Sequence, residues 1–95
     1  MTNYVAGRNA EYRTMRVLEA AGYRCLRTAG SHGPWDVIGF GPVDCVLVQV
    51  KRGGKPAVNQ ILAEMRDEQE RLAPNVRQLL HWWKVRASTP EVYEP

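Results

Sequence analysis

Between Cys45 and Lys51 the chain reads CVLVQVK, a nearly unbroken apolar run. Side chains alternate along a strand, so apolar residues on both faces mark a strand covered on both sides. Such a strand belongs at the centre of a sheet with helices above and below. The flanking sequence supplies them. Gly7–Ala21 reads as a helix that stops at Gly22, with Met15, Leu18 and Ala21 or Gly22 as its apolar stripe. Glu11, one turn before Met15, falls at the end of the inward face, and Asn9, Arg13 and Arg16 fall on the other side. Pro56–Leu72 reads as a second helix, its stripe formed by Val58, Ile61, Leu62, Met65 and Leu72. Further strands are predicted at Tyr23–Thr28, Asp36–Phe40 and Val76–Arg86, and EVYEP adds a short edge strand. Short loops make the first three strands an antiparallel meander. The second helix then crosses over to a strand parallel to its neighbour. The order is αβββαβ, an α/β fold with a central mixed sheet flanked by helices. Trp82 and Trp83 are adjacent and so point to opposite faces, one into the core and one against the second helix or another subunit.

The 95 residues, 44% of them hydrophobic, suit one small domain spanning 1–95. No apolar run approaches the roughly 20 residues of a bilayer span, and the N-terminus lacks an apolar signal core. Cys25 and Cys45 lie in apolar stretches without metal-ligand spacing, which fits buried thiols in a reducing, cytoplasmic setting. The net charge of +3 says less than its distribution. Arg8, Arg13, Arg16, Arg24 and Arg27 crowd the first quarter, and Lys51, Arg52 and Lys55 follow the central strand. Glu64, Asp67, Glu68 and Glu70 gather in the second helix. One side basic and another acidic is the expectation, and a basic side suits a polyanion.

The end of the central strand carries the chemistry. Gln49 and Lys51 point to one face, about 7 Å apart. Buried without partners, an amide and an ammonium cost several kcal/mol, so a cleft is their natural place. Antiparallel pairing through the GPVD turn lays Asp36 beside them, and Glu11 reaches the same region from the first helix. Two carboxylates with an amide or backbone oxygen suit a hard cation such as Mg²⁺, and a lysine alongside suits phosphodiester hydrolysis. The same spacing also fits a plain Asp–Lys ion pair beside a solvated glutamine.

GRNAEYRTMRVLEAAGYRCLRTAGSHGPWDVIGF followed by VLVQVK resembles the archaeal-type Holliday junction resolvases of the PD-(D/E)XK nuclease superfamily. Glu11, Arg27, the AGS loop, Asp36 and Lys51 stand in that family's order and spacing. The resemblance covers Gly7 to Lys51 and implies a restriction-endonuclease-like αβββαβ core, in agreement with the order read from periodicity. It implies that Asp36 is the principal metal ligand, Glu11 completes the pocket, the Val50 carbonyl is a further ligand and Lys51 is the catalytic lysine. Ser31 positions the scissile phosphate or metal, and Arg27 contacts a DNA phosphate. The chain departs from the pattern at Gln49, where the family has Glu or Asp, so the pocket carries one negative charge fewer. Trp35 separates Pro34 from Asp36, and Tyr12 stands where an arginine often follows the helix glutamate.

The implied activity is Mg²⁺-dependent DNA cleavage, with Mn²⁺ as a substitute. Its substrate is branched, four-way DNA in recombination and repair, and its source prokaryotic, archaeal or phage. Catalysis falls to Glu11, Ser31, Asp36, Gln49 and Lys51, and metal binding to Glu11, Asp36, Gln49 and Val50. Arg8, Arg24, Arg27, Ser31, His32, Arg52 and Lys55 would read the DNA backbone. Paired symmetric nicks call for a two-fold homodimer. Alternatives are another DNA nuclease of repair or defence, and a DNA-binding module without catalysis.

Overall fold

The computed structural model describes residues 3–28 and 33–95. Helix α1 (Asn3–Ala20) leads into strands β1 (Arg24–Arg27), β2 (Val37–Phe40) and β3 (Cys45–Arg52). Helix α2 (Val58–Gln69) then crosses to β4 (Val76–Trp83), and β5 (Glu91–Tyr93) ends the sheet. The five strands lie in the order β1-β2-β3-β4-β5. β1, β2 and β3 pair antiparallel, β3 and β4 are parallel over their full lengths, and β5 returns antiparallel to β4. This is the predicted topology, a mixed sheet built around the strand that opened the sequence.

The helices cover opposite faces. Leu18 of α1 packs on Val37, Val46, Val48 and Leu79, while Ile61 and Met65 of α2 pack on Leu80. Leu79 and Leu80 are neighbours on β4 and so point to opposite sides. α1 ends where Gly22 adopts φ +99°, which a Cβ would resist. The Gly22 N–H reaches the Glu19 carbonyl and the Tyr23 N–H the Leu18 carbonyl, both at 3.0 Å, the paired bonds of a Schellman cap. Beyond α2, the outer part of its sheet face leaves Leu26 and Phe40 about half exposed.

Two expectations change in detail. The buried stripe of α1 is Ala10, Thr14 and Leu18, with Met15 at its margin; Ala21 is exposed. A threonine can occupy the stripe because its hydroxyl is satisfied. It accepts the Trp83 indole N–H at 2.8 Å and lies 3.1 Å from Nδ1 of His81. Arg13 does not face away from the core either. Its guanidinium lies 4.1 Å from the Trp83 ring centroid and bonds the Ala87 carbonyl. Trp82 and Trp83 are both buried, at 8% and 3% exposure, one on each face. The Trp82 indole donates to the Gly53 carbonyl at 2.9 Å, so the core takes both without a second subunit.

Candidate active site

β2 and β3 are in register from Val37 opposite Val48 to Phe40 opposite Cys45. Asp36 stands one residue outside that ladder, yet the backbone still holds it. Its N–H donates to the Val48 carbonyl at 2.8 Å, and its carbonyl accepts from the Thr28 N–H at 3.0 Å. Its side chain turns to β3, where Oδ2 accepts the Val50 N–H at 2.8 Å. Residues in strands direct their N–H and C=O to the same neighbour, so the Val50 carbonyl faces this side too. Burial lifts the Asp36 carboxyl above the usual range, while the Val50 N–H and the positive charge of Lys51 pull it down. No ion pair joins Asp36 to Lys51. The plain Asp–Lys bridge that the spacing also allowed is absent, and the lysine acts across a longer gap.

Three contacts missed in the sequence fix the segment bearing Asp36. The Thr28 hydroxyl donates to the Trp35 carbonyl. The Trp35 indole N–H donates to Oε1 of Gln78 at 3.1 Å, and Gln78 is only 1% exposed. Nε2 of Gln78 in turn donates to the Met65 carbonyl of α2 at 2.7 Å. The inserted tryptophan therefore ties the aspartate to both β4 and α2. Its partner, Gln78, is a buried amide in a mostly apolar strand, and that polar residue was the only trace the contact left in the sequence.

Gln49 faces a small cleft of about 110 Å³ whose lining includes Pro34, Met65, Glu64 and Glu68. The two α2 carboxylates beside Gln49 were not expected. Their i, i+4 spacing sets both on one face of the helix, but only the tertiary fold brings that face to β3. Glu11 is engaged elsewhere: its Oε1 lies 3.1 Å from Nη1 of Arg27, with both side chains about one-fifth exposed. The Arg27 guanidinium also lies 5.1 Å from the Tyr12 ring centroid. The two residues expected to meet the metal and the DNA separately thus meet each other. Among the described residues no three acidic, histidine or cysteine side chains converge as a metal cluster. The expected set has only two carboxylates, with an amide and a main-chain oxygen beside them. All are oxygen donors, as a hard divalent ion requires, and a cation near Asp36 would offset the burial that raises its pKa.

Lys51, Arg52, Lys55 and Arg24 are exposed, Arg8 is half-buried, and Ser31 and His32 lie outside the described residues. Among the described residues, no helix is long and apolar enough to cross a membrane. No protein-family model matches the chain, and no curated protein matches it in sequence. Its structure is similar to that of Hjc, a Holliday junction resolvase from the archaeal hyperthermophile Archaeoglobus fulgidus. The TM-score is 0.65 over 94% of this chain and 72% of that one, at 17% identity. The chain has the resolvase fold. On the resolvase fold, the expected αβββαβ order and restriction-endonuclease-like core are present, with β5 added at the edge.

Proposed function

We propose that the chain is a metal-dependent, structure-selective endonuclease that nicks four-way DNA junctions. The observation that carries this reading is the seat of Asp36. A half-buried carboxylate is anchored by the Val50 N–H and left unbridged by Lys51, at the end of the central strands of a resolvase fold. Asp36, the Gln49 amide oxygen and the Val50 carbonyl would hold Mg²⁺, or Mn²⁺ in its place. When bound, the ion polarises the phosphate and lowers the pKa of its water. Lys51 steadies negative charge developing on the phosphate oxygens. Arg27 reaches a DNA phosphate by exchanging its carboxylate partner, which frees Glu11 for the metal pocket. Arg8, Arg24, Arg52 and Lys55 hold the backbone, as Ser31 and His32 do near the cut. Symmetric nicks then require two copies of the chain.

The test is cleavage of a labelled four-way junction beside linear duplex, with Mg²⁺ or Mn²⁺ and with Asp36→Asn as control. Junction nicking that disappears in the variant is the expected result. Cutting of linear DNA alone favours a repair or defence nuclease. A second reading, binding without cleavage, draws on the neutral Gln49 and the engaged Glu11; tight junction binding with no product from either metal selects it. Burial opposes the charge on Asp36, so Asp36→Asn is also expected to raise Tm while abolishing cutting, the usual trade at a catalytic site.

A further inference from the structure

A cleft of about 270 Å³ opens where α1 meets the ends of β3 and β4; Ala6, Ala10, Arg13, Arg52, Trp83 and Arg86 help to line it, and no carboxylate does. Arg52 stands level with Trp83 across the parallel pair β3–β4. Arg13 stacks on Trp83 at 4.1 Å and bonds the Ala87 carbonyl. That bond secures the turn in which the Ala87 N–H meets the Lys84 carbonyl at 3.0 Å. Arg86 sits inside this turn with φ +64°. Left-handed backbone is strained for a residue with a Cβ, and such strain gathers at functional positions. Among the described residues, Arg13, Arg52 and Arg86 have no ion-pair partner. Lys84 differs, since Glu91 holds its ammonium at 3.0 Å. Three uncompensated guanidiniums around one concave, acid-free surface create a positive potential there, and their planar forks match phosphate oxygens.

We propose that this cleft is a second phosphate-binding site, separate from Asp36, that takes a phosphodiester of the nucleic-acid backbone. The choice of a DNA backbone as ligand rests on the nuclease reading; the concentration of arginines without a carboxylate partner does not. Arg52 follows Lys51 directly and points to the opposite face of the strand. A duplex lying over the end of β3 would therefore be gripped on the α1 side by this cleft while Lys51 serves the scissile position.

The experiment measures junction and linear duplex binding by fluorescence anisotropy between about 50 and 200 mM salt. It compares the full chain with the Arg52→Gln/Arg86→Asn double variant. The expected result is weaker binding to both DNAs, with the slope of log affinity against log salt shallower by about 1. Asparagine accepts left-handed backbone, so Tm should not fall; weaker binding at unchanged Tm cannot then be ascribed to unfolding. An unchanged slope overturns the proposal. Inorganic phosphate is the second probe. If it shifts the Trp83 indole N–H resonance while the double variant binds DNA like the parent, the cleft takes free phosphate and the backbone assignment is wrong. The two readings fail separately. Asp36→Asn should leave the salt slope intact, so a shallower slope in the double variant of a protein that cuts nothing keeps the cleft and removes the nuclease. Cutting with an unmoved slope does the reverse.

Discussion

At Gly39 the backbone of β2 passes directly beneath α1. A Cβ there would lie 2.8 Å from Cγ2 of Val46 and 3.3 Å from Cβ of Tyr23, on the side where Leu18 packs. Glycine is kept by close approach, not by turn geometry. Gly39→Ala is expected to overpack this contact and cost about 1–3 kcal/mol, visible as a Tm lower by roughly 4–8 °C per kcal/mol. His81, 1% exposed beside Thr14, sets a pH limit. Burial lowers its pKa from 6.5 to about 4. The native state therefore keeps it neutral while the unfolded chain takes up a proton. Its contribution is present above pH 6.5 and is lost as pH falls toward 4, by on the order of 3 kcal/mol. Chemical denaturation at pH 7 and pH 4.5 should show that loss, and His81→Asn should flatten it. Neither effect was visible in the sequence. A glycine in a strand and a histidine among apolar residues acquire meaning only from what packs on them.

The elements were legible in type and order, and their ends were less so. α1 was expected from Gly7 and begins at Asn3; α2 was expected from Pro56 to Leu72 and spans Val58–Gln69. Periodicity reports the face that packs, and the terminal turns carry little of it. β4 was expected to run to Arg86 but stops at Trp83, because Arg13 ties the following turn to α1. The same principle governs the segment before β2. Pro34-Trp35-Asp36 looked like a departure from the Pro-Asp pattern, and the Trp35–Gln78 bond makes it an anchor. Trp35→Phe leaves Oε1 of Gln78 without that donor and loosens Asp36. The expected outcome is a stability loss of about 1–2 kcal/mol with a larger fall in junction nicking than in junction binding. Equal losses in both would mean that the bond supports the fold without positioning the carboxylate.

At the scale of the whole molecule, the arginine cleft and the exposed acids of α2 lie on opposite sides of the sheet. The acid-free cleft of Arg13, Arg52 and Arg86 lies on the α1 side, while Glu64 and Asp67 are exposed on α2. If two copies make paired nicks, light scattering at the concentrations that support cleavage should give twice the 10.8 kDa mass of the chain; a monomer active on junctions would overturn the paired model. The sequence alone determined the α/β class, the central place of CVLVQVK and the meeting of Asp36 with the end of that strand. Those follow from alternation, helical period and loop length, which are local quantities. The tertiary structure decided the partners. It gave Arg27 to Glu11, stacked Arg13 on Trp83, and buried Thr14, His81 and Gln78 in satisfied networks. Polar and charged side chains take their roles from groups distant in the chain, because the cost of burying them depends on which partners come within hydrogen-bond reach.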